Sequence, residues 1–285
     1  HVHVLVEIDV GASRCGVADP EQALLLAQQI EAYPNLSFGG LQAYPSRTKD
    51  PDRPDFSSGS VGLSPGAVTF GALVRDYLDG HGLEPTSGRF FAHMGDAELD
   101  EGSIWETVTE PAIQGLDRCT WIVDLNRQSL DRVVPGIRVA RFMEMFRVNG
   151  WNVVVAKYGE QLTELMELPG GEALRSRIDD MPNQEYQAML VASPSEVRAR
   201  LLETTRAQRG DIERCVSDFD DEELHRRIAG LGGHDVGTLA RCYEEASRAD
   251  GPSVVFAYTV KGWGLPIAAD PANHSALVTQ EQYEE

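Results

Sequence analysis

Asp96 and Asn126 are the two residues of this 285-residue chain whose types and spacing could do chemistry together. Asp96 follows the apolar run RFFAHMG, and Asn126 ends the run CTWIVDLN. Each run is short, continuously apolar, rich in β-branched and aromatic residues and closed by a polar residue, which predicts a buried strand. Gly102 to Gln114, between them, has the length and pattern of a helix. Strand, helix and strand at this spacing make a βαβ unit with parallel strands. Ligands of open α/β sheets bind at the carboxyl ends of the strands. A carboxylate and an amide oxygen 30 residues apart therefore reach one rim. With a nearby backbone carbonyl, these donors suit Mg²⁺, a hard cation that takes oxygen ligands and completes its shell with water and substrate phosphates. Asp and Asn at strand ends also serve as turn formers or helix caps. Spacing alone leaves both readings open.

A second feature precedes the first strand. SSGSVGLSPGA carries Gly59, Gly62 and Gly66, after which Ser64-Pro65 opens a helix expected to run to about Asp79. A glycine turn feeding a helix N-terminus offers free amides and the positive end of the helix dipole to an anion. A plain capped turn has the same appearance. Two histidines stand in polar loops, His234 in GGHD and His274 in DPANHSAL. For the first, the bland reading is a loop whose Asp235 caps the next helix.

The elements that must position these residues alternate. HVHVLVEIDV reads as a strand and GASRCGV as a loop. Asp19 to Ala32 reads as an amphipathic helix with Ala23, Leu24, Ala27 and Ile30 at helical period. Ser46 to Phe56 is a charged, proline-rich loop. Ile137 to Asn149 is expected to be a helix with an apolar stripe at Ile137, Ala140, Met143 and Phe146. WNVVVAKYG and SVVFAYTVKGWG read as strands. Gly170 to Leu202 and Asp211 to Arg248 read as mostly helical. The expected class is α/β, a mostly parallel sheet flanked by helices.

Composition narrows the function. A formal charge of −20 argues against a nucleic-acid partner and against docking on anionic membranes. No apolar run is long enough for a transmembrane helix, and no signal-peptide pattern opens the chain. Cys15, Cys119, Cys215 and Cys242 are widely spaced, with no zinc-type pattern, and read as reduced thiols of a cytoplasmic protein.

GDAELDEG, followed 30 residues on by DLNRQSLD, resembles the thiamine diphosphate motif. It is most similar to the version in the homodimeric pyruvate dehydrogenase component that decarboxylates pyruvate, a relative of transketolase. Carried over by position, the resemblance implies that Asp96, Asn126 and the carbonyl of Gln128 hold Mg²⁺ on the cofactor's diphosphate. Gly95, Ala97 and Glu98 would line the cofactor beside them. Ala97 stands where the family has its second Gly, and Leu125 where it has the first Asn of a pair; neither change removes a metal ligand. Ser60, Val61, Gly62 and Leu63 match the loop that lies along thiamine diphosphate. His274 lines up with a histidine that touches the diphosphate or substrate, which implies a catalytic role; Ala272 or Asn273 takes the place of a lysine found nearby in some relatives. The implied fold is the diphosphate-binding domain, over residues 45 to 285. The implied activity is decarboxylation of a 2-oxo acid, with acetyl transfer to a lipoyl-bearing acyltransferase. Transketolase-like two-carbon transfer and a non-catalytic dimerisation module are the alternatives.

Residues 1 to 44 have a different resemblance. VLVEIDVGASRCGV, the helix and LSFGGLQAY are similar to the pyridoxal-phosphate barrel of D-threonine aldolase and D-serine dehydratase-like proteins, with Arg14 matching an arginine near substrate or cofactor. The Schiff-base lysine has no counterpart, since Lys49, Lys157 and Lys261 all lie beyond the segment. The two resemblances meet at Gly39 to Tyr44. The expectation is a hybrid, with an ordinary divergent N-terminus as the alternative. The opening HVHVLVEIDV and closing QYEE suggest a piece of a longer protein. Family members complete the site with a glutamate from a pyrimidine-binding domain, so a homodimer or a separate domain is the expected partner, and the chain alone is expected to bind cofactor weakly and not to turn over.

Overall fold

The computed structural model describes residues 2–7, 20–33, 36–42, 61–83, 88–126, 128–129, 132–133, 136–270 and 279–284. The N-terminal unit is β1 (Val2–Glu7), α1 (Pro20–Glu31) and β2 (Leu36–Gln42); its two strands pair in parallel and α1 lies on both. The helix differs from expectation in one respect. Leu24 is 61% exposed, and Leu25 and Leu26 beside it are also exposed, so the apolar side of α1 is not fully covered.

The main sheet has four strands in the order β3 (Phe90–Gly95), β4 (Cys119–Leu125), β8 (Ser253–Tyr258), β7 (Asn152–Ala156), and every pairing is parallel. The expected βαβ unit is therefore present as β3, α3 (Gly102–Val108) and β4. The helix between the strands is shorter than the predicted span to Gln114. Pro111 has no N–H and its ring blocks the preceding turn. Glu110 is driven to extended backbone (φ −67°, ψ 116°) and its carboxylate accepts the Ala112 N–H at 3.0 Å, capping a separate 3-10 turn over Pro111–Ile113.

Helices α2 (Ser64–Gly80) and α4 (Gly136–Val148) lie with α3 on one side of the sheet, and α11 (Val236–Ser247) lies on the other. The α4 stripe is corrected by one position: Val139, Met143 and Phe146 are buried while Ala140 is exposed, because an i, i+4, i+7 row faces the sheet. Phe146 meets Trp121, Trp151 and Phe256 edge-on with centroids 5.4–5.9 Å apart. Thr69 ties α2 to β4, accepting the Trp121 indole N–H at 2.9 Å and donating to the Pro65 carbonyl.

Between β7 and β8 the chain builds a helical layer with its own core: α5 (Glu160–Glu167), α6 (Gly171–Asp180), α7 (Asn183–Leu190), α8 (Pro194–Leu201), α9 (Arg206–Val216) and α10 (Asp221–Ile228). Leu162, Leu165, Leu174, Met189, Leu201 and Ile228 are fully buried there. A short antiparallel pair, β5 (Gln128–Ser129) and β6 (Arg132–Val133), follows β4, and α12 (Gln280–Glu284) is the last helix. No helix among the described residues is long and apolar enough to cross a membrane.

Candidate functional site

The carboxyl rim of β3 and β4 is set by register. Gly95 pairs with Asp124, so Asp96 leaves β3 opposite Leu125 and Asn126 lies one residue further along. Strand spacing and rise alone would place the Asp96 and Asn126 Cα atoms about 6 Å apart. Asp96 starts a 3-10 turn over Asp96–Asp100, and the two residues of β5, Gln128 and Ser129, lie against that turn. The backbone thus brings the segments carrying Asp96, Asn126 and Gln128 to one place.

The glycine turn joins them through Glu98. Its carboxylate accepts the Gly62 N–H at 2.8 Å and the Gly95 N–H at 3.1 Å. Ser103 adds a hydrogen bond to the Gly62 carbonyl at 2.9 Å. Gly62 has φ +79°, and a Cβ there would stand 2.5 Å from the Glu101 Cβ, so only glycine fits this approach. Val61 and Leu63 flank it with exposed side chains. α2 then begins at Ser64 with no side-chain cap and with Pro65 in its first turn.

Asn126 is only 9% exposed. Its side-chain amide N donates to Asp124 Oδ2 at 3.4 Å, and its main-chain carbonyl accepts from Gln187 of α7 at 3.2 Å. Thr259, just past β8, donates its hydroxyl to the other oxygen of Asp124. Asp96 and Ala97 line a small hollow with Asp100, Leu125 and Arg138; Arg138 pairs with Asp100 and lies over the Phe142 ring. A larger cleft of about 450 Å³ opens beside Gly95, Glu98, Asp124 and Thr259, with His93 and Tyr243 on its walls. Burial holds the His93 imidazole below its usual range.

Asp235 caps α11 by accepting the Thr238 N–H at 2.7 Å, as its position in GGHD predicts. His234 does more than occupy a loop. Its Nε2 accepts the Val260 N–H at 2.8 Å, and its ring stacks on Trp263 at 4.3 Å and 14°. It therefore holds the segment after β8, where Gly262 and Gly264 both have positive φ. Burial pulls the His234 imidazole down, with Asp124 acting in the opposite sense.

Ser60 and His274 lie outside the described residues, as do Arg14 and the Gly39 to Tyr44 junction beyond Gln42. Gln128 is described in its backbone, paired with Val133. Sequence reasoning passed over Gln187, Asp124, Thr259 and Trp263. Asp124 carried a signal: a lone carboxylate inside the apolar run CTWIVDLN must find a partner at a strand end. Gln187 carried none. Among the described residues no group of three or more His, Cys, Asp or Glu gathers in reach of a common metal ion. A set of one carboxylate, one amide and one carbonyl is not such a group, and its oxygen donors suit Mg²⁺ rather than zinc.

No protein-family model matches the chain. Curated relatives do. The pyruvate dehydrogenase E1 component of Corynebacterium glutamicum is 29% identical over 231 residues, 80% of this chain and 24% of its own length. That of Mycobacterium tuberculosis is 30% identical over 248 residues, 85% and 26%. That of Escherichia coli K12 is 27% identical over 254 residues, 87% and 28%. The chain spans about a quarter of the length of these relatives. Among solved structures, transketolase from Campylobacter jejuni covers 80% of this chain and 24% of its own at 15% identity, with a TM-score of 0.43, too low to weigh. By sequence, then, the chain is similar to one part, about a quarter, of pyruvate dehydrogenase E1 components.

Proposed function

We propose that residues 45–285 bind Mg²⁺ and thiamine diphosphate at the carboxyl rim of β3 and β4, as part of an enzyme that oxidatively decarboxylates a 2-oxo acid such as pyruvate and passes the acetyl unit to a lipoyl-bearing partner. Residues 1–44 form a separate strand–helix unit that takes no part in this chemistry. The observation that carries the reading is the pair of hydrogen bonds that the Glu98 carboxylate accepts from the Gly62 and Gly95 amides, which fastens the glycine turn to the turn that begins with Asp96.

In this reading Asp96, Asn126 and the Gln128 carbonyl hold the metal, and the diphosphate lies along Ser60 to Leu63 with Ala97 beside it. Asp96 supplies the negative charge and the other two supply neutral oxygens, so the metal keeps positive charge for the diphosphate. The start of α2, which has no side-chain cap, would offer first-turn amides and the positive end of its dipole. The cofactor would supply the electron sink for decarboxylation; the chain supplies binding and orientation. His274 would contact diphosphate or substrate. A glutamate for the aminopyrimidine would come from a pyrimidine-binding domain on a second copy or a separate chain. Dependence on sugar phosphates in place of pyruvate would instead favour two-carbon transfer.

The test is a thermal-shift titration of the full chain with Mg²⁺ and thiamine diphosphate. Stabilisation that requires both components and disappears in Asp96→Ala supports the assignment. An unchanged shift in Asp96→Ala refutes the metal role.

A further inference from the structure

Asn126 is gripped from a layer of the molecule that contributes no ligand of its own. Gln187 sits on α7, within the helical layer inserted between β7 and β8, and is 3% exposed. Its side-chain amide donates across 61 residues to the Asn126 carbonyl at 3.2 Å. The neighbouring Tyr186, also buried, donates its hydroxyl to the Ile228 carbonyl at 2.8 Å, where α10 runs into the GGHD loop. His225 of α10 in turn meets the Leu190 carbonyl at the end of α7 at 2.8 Å. One short helix therefore spans from the loop of His234 to the end of β4. From the sheet side, Asp124 takes the Asn126 side-chain amide N and is itself held by Thr259.

We propose that Gln187 is a positioning residue for the cofactor site: by fixing the main chain at Asn126 it sets where the Asn126 side-chain oxygen and the Gln128 carbonyl point, and it couples cofactor binding to the helical layer. The inference rests on the metal reading given above. Two physical points support it. A buried amide is costly unless its hydrogen bonds are made, so Gln187 has a strong preference for this one arrangement. The outer partners that orient metal ligands matter nearly as much as the ligands: their loss typically costs about 10–100-fold in metal affinity. The grip on Asn126 is backbone-directed, so it survives any rotation of the Asn126 side chain and acts on the two donor positions together.

The experiment uses the full chain and titrates Mg²⁺ at saturating thiamine diphosphate, comparing wild type, Gln187→Leu and Tyr186→Phe. Tyr186→Phe loosens the same helix but leaves the Asn126 contact intact. The expected result is a half-saturating Mg²⁺ concentration raised about 10–100-fold in Gln187→Leu and within about twofold of wild type in Tyr186→Phe. Amide hydrogen exchange of the peptide covering residues 120–129, measured without ligand, should be faster in Gln187→Leu alone. Equal Mg²⁺ dependence in wild type and Gln187→Leu overturns the proposal, and so does equal weakening by both variants. If wild type binds no cofactor, the functional reading fails, and unchanged exchange at residues 120–129 in Gln187→Leu then separately overturns the positioning role.

Discussion

Gly62→Ala probes the joint between the glycine turn and the Asp96 turn. Two penalties apply. The backbone at Gly62 has φ +79°, and a left-handed conformation costs a non-glycine residue about 1–2 kcal/mol. The new Cβ would also stand 2.5 Å from the Glu101 Cβ and 2.8 Å from its Cγ. The first of these is fixed to the backbone and cannot swing away, and overpacking of this kind costs about 1–3 kcal/mol. The sum is about 2–5 kcal/mol, or a fall in Tm of roughly 5–15 °C for a chain of this size. Gly82→Ala separates the terms, because Gly82 also has positive φ (+70°) but nothing lies within 4 Å of its Cβ position. That variant should lose only the conformational term, about 1–2 kcal/mol. Denaturant unfolding of both variants, followed by far-ultraviolet circular dichroism, gives the difference directly. Equal losses in the two variants, or a Gly62→Ala loss below about 0.5 kcal/mol, would show that the close approach does not hold and would refute the reasoning.

Glu98→Ala strips the acceptor from the Gly62 and Gly95 amides; losing two charge-assisted bonds should cost about 2–4 kcal/mol, measured by the same unfolding assay, and should weaken thiamine diphosphate binding as well. His234 sets a pH dependence. Its Nε2 accepts the Val260 N–H, so the folded state needs the neutral ring, and burial lowers its pKa below the ordinary 6.5. The unfolded chain therefore binds the proton first as pH falls. The stabilisation is complete above about pH 6.5 and is lost as the pH drops below that value. Unfolding free energies at pH 7.5 and pH 5.5 should fall more steeply for wild type than for His234→Gln, and parallel slopes would contradict the assignment. In the core, Phe256→Ala should cost about 3–5 kcal/mol, because Phe256 is fully buried against Phe146; a loss under 1 kcal/mol in denaturant would contradict that packing.

The βαβ frame was legible because a parallel buried strand reads as a continuous apolar run, and RFFAHMG and CTWIVDLN are such runs. Once both strands were placed, the meeting of the Asp96 and Asn126 segments followed from parallel register. The α2 boundaries were legible too, since Ser64-Pro65 marks a first turn. The break after Val108 was missed although Pro111 stood in plain view, because the apolar period continues through Ile113 and masks it. Glu98 reads as a cofactor neighbour from its place in the motif, but nothing in the motif signals that its carboxylate also serves two backbone amides, one of them 36 residues away. Gln187 and His234 use single side-chain contacts to distant main chain, across 61 and 26 residues, and such contacts leave no period in the sequence. The α4 stripe was displaced because Ala140 satisfies an apolar pattern without being large enough to define which row faces the sheet.

Isothermal calorimetry of the full chain with thiamine diphosphate, run with Mg²⁺ and again with chelator, tests the central claim most directly. Saturable binding that needs Mg²⁺ in wild type and is absent in Asp96→Ala is the predicted result. Heat that is the same with and without Mg²⁺, or no saturable heat at any cofactor concentration, would contradict a metal-anchored diphosphate site at the end of β3 and β4.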